Sequence, residues 1–333
     1  MARPALHRGQ RAEERGEGPL NPAAPFGDTL AARVSERGSQ LVLGVDPDPG
    51  ALWPGVDGGD GAGLSPRQAA GEAVLAHCRA LIDATAEACV AVKLQLARFE
   101  VLGDVGWSVL EQVAAHARRR GLLVIADAKR GDIDVSADAY ASALITGVDS
   151  PYGRLDGLAA DLVTVNPLMG ADAVEPFVRA ARGVGAGVLV LVRTSNRGAA
   201  DFEDLELAGT GERLWERVAA MVERLGRPGL GQTGLSDVGA VVGATEPGHL
   251  GRARELMGAA PFLLPGIGAQ GGRVEDLAAA FAPGPAGGLV SASRSIVGAY
   301  RVRGGDPAGA ARGEAQRLRE EAWELSRRVL HAG

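Results

Sequence analysis

The amino-acid sequence predicts an α/β protein built as a closed (β/α)8 TIM barrel. Three observations lead there: short runs rich in Val and Leu recur along the chain, stretches with helical spacing separate them, and the runs number eight. Strands that alternate with helices imply a parallel sheet with crossover connections, and eight such units match the number that closes into a barrel. An open doubly wound sheet is the competing arrangement, and the count favours closure.

Residues 1–25 are rich in Arg, Glu, Gly and Pro and hold too little apolar surface to offset the entropy of ordering. They are expected to form a flexible tail ahead of a single barrel domain spanning 26–333. Phe26–Arg37 reads as an opening helix behind Asp28 as a cap. The eight candidate strands are Leu41–Val45, Val90–Gln95, Leu122–Ala128, Asp161–Val165, Val188–Arg193, Val238–Gly243, Pro261–Leu264 and Gly287–Ser291. Helical spacing fills Pro66–Ala88, Trp107–Arg120, Ser136–Ile145, Ala171–Arg182, Gly211–Arg224, Gly248–Met257 and Val274–Phe281. Asp306 followed by Pro307 opens a long C-terminal helix to about His331, with Leu318, Ala322, Leu325 and Val329 on one stripe. Gly55–Gly63 reads as a flexible surface insertion.

Composition excludes several classes. A net charge of -6 with scattered Arg residues offers no basic stripe for a nucleic-acid polymer. No apolar run approaches the roughly 20 residues of a membrane span, and the N-terminal residues lack the apolar region of a secretory signal. A soluble cytoplasmic protein is expected. Cys78 and Cys89 lie on one predicted helix about 16 Å apart, too far for a disulfide. The His residues are scattered without metal-ligand spacing.

The chain is organised around Gly121–Tyr140, where an apolar strand runs directly into alternating charges: Asp127, Lys129 and Asp132. Side chains at i and i+2 of a strand share a face, so Asp127 and Lys129 leave the strand end together. In barrels the active site is built at the C-terminal strand ends. The other runs end in Asp46, Lys93, Asn166, the Thr194-Ser195-Asn196 triplet, the Gly-rich PGIGAQGG and SASRS. Lys93, Asp127, Lys129 and Asp132 are expected to form an alternating cluster in which each charge keeps its neighbours ionised. Gly266–Gly271 formally matches G-x-G-x-x-G, but it follows a late strand, whereas a dinucleotide fingerprint follows the first. An anion nest completed by Arg294 is the better reading.

These residues, in this order, resemble the orotidine 5'-phosphate decarboxylase family, and most of all its longer bacterial branch. The resemblance rests on DAKRGDI with GVDPDP, VKLQLARFE, TVNPLMG, VRTSN, PGIGAQGG and SASRSI. It implies decarboxylation of orotidine 5'-monophosphate to uridine 5'-monophosphate, the last step of pyrimidine nucleotide synthesis, without metal or organic cofactor. Lys129 would protonate C6 as carbon dioxide leaves, Asp127 would lie beside the substrate carboxylate, and Lys93 and Asp132 would complete the charge network. Asp132 would reach the neighbouring subunit's site, making the enzyme a homodimer. Asp46 would bind ribose hydroxyls and Ser195 the pyrimidine, with Gln270, Gly271, Gly272 and Arg294 on the phosphate. Ser136, Asn166 and Thr194 join the binding set; Ser136 stands where the family usually has Thr. Leu94 and Leu168 also depart from the usual Pro and aromatic residue. Phosphosugar enzymes that share D-x-K-x-x-D but use magnesium would offer a carboxylate where this chain has Lys93.

Overall fold

Successive side chains of a strand point to opposite faces, so each strand of a closed sheet sends every second residue into the barrel and the rest toward the helices. The computed structural model describes residues 24–56, 63–268 and 271–332. Its eight parallel strands are β1 Leu41–Val45, β2 Ala91–Gln95, β3 Leu123–Arg130, β4 Leu162–Val165, β5 Gly187–Arg193, β6 Val238–Val242, β7 Phe262–Pro265 and β8 Gly288–Ala292. They pair in chain order, and β8 closes on β1 with Leu41 opposite Val290. Every run expected from sequence is a strand, with ends displaced by no more than two residues. The expected tail lies, up to residue 23, outside the described residues, as do residues 57–62 of the Gly55–Gly63 insertion.

The barrel interior is apolar at its lower end. Val42, Ala91, Leu123, Ile125, Leu162, Leu189, Val241, Leu263 and Leu289 form one buried cluster with Phe26, Leu30 and Val34 of helix α1, Phe26–Arg37, which plugs that end. Asp28 does not cap α1. Its carboxylate instead accepts the backbone N–H groups of Gln232 (3.0 Å) and Thr233 (2.7 Å), fastening the plug to the loop before β6. A second, larger cluster fills the layer between strands and surrounding helices and includes both free cysteines. The C-terminal helix Pro307–Ala332 closes this layer with Leu318 and Ala322 buried, and Asp306 caps it by accepting the Gly309 N–H at 2.8 Å.

Three local features depart from the expected elements. Val274–Phe281 winds as 3-10 helix, and the helix begun at Asp134 ends in a π turn, Ser142–Thr146. An antiparallel hairpin, Val148–Ser150 with Gly153–Leu155, follows that turn. Each of its strands is too short to show a period of two in the sequence.

Arg254 holds the lower rim together. The side chain is 8% exposed, and its guanidinium donates to the carbonyls of Met257, Gly258, Ala260, Ala280 and Gly287 at 2.8–3.2 Å. It also lies 3.7 Å over the Phe262 ring. Burial pushes its pKa down to about 9, with Glu223 opposing. One side chain thus ties the helix Pro247–Leu256 to the starts of β7 and β8. Arg254→Met strips those buried carbonyls of a partner, and each such loss costs on the order of 1 kcal/mol or more. Urea denaturation is expected to show a total loss of about 3 kcal/mol.

Candidate active site

Two residues beyond Ala91, Ile125 and Leu162 of the apolar interior, the same inward faces of β2, β3 and β4 carry Lys93, Asp127 and Thr164. The face changes from apolar to charged within one step of the strand period. β3 also bulges here. Ala126 lies opposite Val163 and Arg130 opposite Val165, so Asp127, Ala128 and Lys129 stand against Thr164 alone. A bulge re-aims side chains, and Lys129 takes a left-handed φ of 48°, a conformation that costs a non-glycine residue about 1 kcal/mol or more.

Thr164 stabilises that backbone. Its buried hydroxyl accepts the Lys129 N–H at 2.9 Å and donates to Asp127 Oδ1 at 2.9 Å. Lys129 Nζ lies 2.6 Å from Asp127 Oδ1, and Lys93 Nζ lies 2.6 Å from Oδ2. Both carboxylate oxygens are therefore engaged. Burial raises the Asp127 pKa, but Lys93 and Lys129 together outweigh it and hold the carboxyl below its usual range. The Lys93 side chain is 13% exposed and that of Lys129 46%. Lys129 is accordingly the ammonium presented to an incoming molecule, and the triad as a whole carries one net positive charge.

The triad lines a cavity of about 540 Å³ with Gln95, Leu191, Pro265 and the segment that follows β5. Thr194, Ser195 and Asn196 of that segment reach the cavity, as do Phe202 and Glu203. Glu203 anchors the segment by accepting the Thr194 N–H at 2.9 Å and pairing with Arg193 at 3.2 Å. A second cavity, of about 320 Å³, holds Asp46, Ser293 and Arg294. Ser293 Oγ donates to Asp46, while Arg294 is exposed. His77 lines its wall, accepting the Trp53 N–H at 3.1 Å, and burial pushes its imidazole down to about 4.

Several expected site residues stand elsewhere. Asp132 does not join the cluster within one chain: beyond Lys129 the backbone turns out over the rim, and the Asp132 carboxylate accepts its neighbour's Ile133 N–H at 2.9 Å. Among the described residues it makes no ion pair. Ser136 is exposed on the helix Asp134–Ala141. Asn166 Oδ1 is used by the Leu168 N–H at 3.0 Å. The glycine turn is an internally bonded loop in which Gly271 N–H donates to Gly268 and Gly272 N–H to Gly266, so these two amides are not free to cradle an anion. Gly266, Gly268 and Gly271 all have left-handed φ, which explains their composition. Gln270 lies outside the described residues. Thr164 and Glu203 went unnoticed in the sequence. The strand period places Thr164 two residues before Asn166 on the inward face, but no local pattern points to Glu203.

Among the described residues no group of three or more His, Cys, Asp or Glu side chains could hold a metal ion, and no helix is long and apolar enough to cross a membrane.

A parallel barrel with a charged Lys-Asp-Lys network at its strand ends has the build of an enzyme whose site lies at the carboxyl rim. Comparison with known proteins specifies the family. The model of the orotidine 5'-phosphate decarboxylase / HUMPS family matches residues 39–312, and the chain belongs to that family. It is 42% identical to the orotidine 5'-phosphate decarboxylase of Deinococcus radiodurans over 297 residues, covering 89% of this chain and 96% of that protein. The orotidine 5'-phosphate decarboxylase of Haloarcula marismortui is 41% identical over 274 residues, covering 82% and 86%. The structure of Leishmania donovani OMP decarboxylase superposes with a TM-score of 0.67 at 31% identity, over 91% of this chain and 99% of that one.

Thr164→Val keeps the side-chain shape and removes both hydrogen bonds. In a decarboxylation assay kcat is expected to fall about tenfold with KM little changed.

Proposed function

We infer that the chain decarboxylates orotidine 5'-monophosphate to uridine 5'-monophosphate and carbon dioxide. The observation that carries this reading is the half-exposed Lys129 ammonium held 2.6 Å from a buried Asp127 that Lys93 also neutralises. Loss of carbon dioxide from C6 leaves an electron pair on a ring carbon that has no conjugated sink. A protein meets that demand with charge placed where the negative charge develops. Lys129 faces the cavity, so as the C6–carboxylate bond breaks its ammonium stabilises the pair and then transfers its proton to C6. Asp127, beside the departing carboxylate, disfavours the bound ground state and retains Lys129 in place. Lys93 at the end of β2 occupies the position where a magnesium-dependent relative is expected to have a carboxylate, which favours decarboxylation of the nucleotide over phosphosugar chemistry.

The cavity of about 540 Å³ is large enough for a nucleotide base and sugar. The pyrimidine lies against Ser195, the ribose hydroxyls reach toward Asp46, and Arg294 with Gln270 takes the phosphate. Because two glycine amides of the adjacent turn are already bonded, the cation carries a larger share of that grip. A homodimer gives Asp132 its role. Around it Ile133 and Val135 are exposed, as are Leu168 and Met169 of the neighbouring loop, and the Met169 side chain approaches Gly131. Such an apolar surround marks a surface that pairs, and a two-fold axis there returns each Asp132 toward the other subunit's triad.

Incubation with orotidine 5'-monophosphate, followed by loss of its ultraviolet absorbance, tests the reading. Lys129→Ala is expected to abolish turnover with folding intact, while Arg294→Ala mainly raises KM; normal turnover by the Lys129 variant would sink the assignment. Mixing inactive Lys129→Ala and Asp132→Ala chains under conditions that exchange subunits is expected to restore about a quarter of the wild-type activity, through mixed dimers with one intact site. No recovery would rule out the shared Asp132.

A further inference from the structure

We propose that Arg130 is a positioning residue: with Thr164 it clamps the peptide group between Ala128 and Lys129, and that clamp keeps Lys129 in its left-handed conformation with the ammonium on the cavity. The proposal rests on the reading of Lys129 as the proton donor and assigns how the chain holds that side chain in place.

A peptide group is planar, with its carbonyl and its N–H on opposite edges. Its tilt sets ψ of the residue before it and φ of the residue after it. Turning the Ala128–Lys129 plane over would therefore carry Lys129 away from its φ of 48° and into the region that a side chain prefers. Ladder hydrogen bonds on both sides prevent such a turn in a regular strand. Here they are interrupted: Asp127 is the last residue of β3 paired with β2, and the bulge breaks the pairing with β4 between Ala126 and Arg130. Side chains hold the plane at both edges instead. Thr164 Oγ1 accepts the Lys129 N–H at 2.9 Å, and Arg130 Nη1 donates to the Ala128 carbonyl at 3.1 Å.

Arg130 is itself fixed from two sides. Its other terminal nitrogen, Nη2, donates to the Glu100 carboxylate, and its guanidinium carbon lies 5.4 Å from the centroid of the Tyr140 ring. Glu100 ends the short helix Leu96–Glu100, which leaves β2 directly after Gln95 and is anchored by the buried Phe99. Tyr140 belongs to the helix Asp134–Ala141. The pair with Glu100 is half-exposed, so it adds little to stability as an attraction between charges. Its effect is directional. One prong of the guanidinium on a carboxylate aims the other at the Ala128 carbonyl, a fixed fork that an ammonium does not offer. Because Lys93 stands on β2 and Lys129 on β3, the same pair joins the two segments that carry the lysines of the triad.

Arg130→Met removes the donor and keeps the stem of the side chain, and two readouts follow it. Hydrogen exchange at the Lys129 amide, measured by mass spectrometry on the peptide that contains it, is expected to quicken about tenfold while the other barrel strands retain their protection. In decarboxylation of orotidine 5'-monophosphate, kcat is expected to fall about tenfold with KM within about twofold of wild type. Arg130→Lys keeps the charge without the fork and is expected to stay within about threefold of Arg130→Met in kcat. Glu100→Gln loosens the guanidinium, quickening the same exchange and lowering kcat about threefold. Full kcat in Arg130→Lys would show that charge alone matters and overturn the clamp, as would unchanged Lys129 exchange in Arg130→Met or a rise in KM with kcat intact. Should Arg130→Met fail to fold, the half-exposed Glu100→Gln change carries the test through the same two readouts. Faster Lys129 exchange in Arg130→Met, in a protein whose wild type leaves orotidine 5'-monophosphate intact, would overturn the activity and keep the clamp.

Discussion

The buried carboxylate of Asp127 is the constraint on which the site depends. Taking an ion from water costs several kcal/mol, about the whole margin of a folded domain, unless partners compensate. Here Lys93 comes from β2, Lys129 from β3 and the Thr164 hydroxyl from β4. Each partner belongs to a different strand, so the carboxylate is satisfied only when three neighbouring strands hold their register. Barrel closure and the charge network therefore stabilise one another, and both rest on the apolar lower interior that α1 seals.

The Lys129 ammonium is held under tension by the same atoms. Lys129 sits at a left-handed φ in a bulge where three residues face one, and an ordinary ladder would aim it elsewhere. The Thr164 hydroxyl binds the strained N–H and the carboxylate at once, so a single buried oxygen fixes both the backbone of Lys129 and its carboxylate partner. Rigidity of this kind keeps the charges arranged in advance, so that none of them has to be reoriented when a molecule enters. The half-exposed position of Lys129 and the near-complete burial of Asp127 distinguish a group open to the cavity from the one that holds it.

Much of this is legible in the sequence, and the exceptions have a common cause. Eight Val- and Leu-rich runs locate eight strands because burial on both faces leaves an unbroken apolar signature. Asp127 and Lys129 stand out because charge directly follows such a run. What depends on chain folding back over distance is hidden: Asp28 reads as a cap from its neighbours, yet it fastens a loop some two hundred positions away. Glu203 belongs to the site only because a loop returns to Thr194. The Gly271 and Gly272 amides read as an anion nest, and only the bonded turn reveals that they are taken. Asp132 shares the DAKRGD spacing with the triad, but the turn after Lys129 carries it off the rim, where sequence adjacency and spatial adjacency part.

Apolar packing and the charged site are separated along β2, β3 and β4 by a single step of their alternation. Below that step, matching Leu, Val and Ile side chains provide stability that does not depend on chemistry at the rim. Above it, the structure tolerates features that would each be a liability in a core: an ion with three partners, a left-handed lysine, and a loop that exposes Phe202 over a cavity. Polar staples remote from the site, such as Arg254 across the starts of β7 and β8, keep the lower rim from shifting.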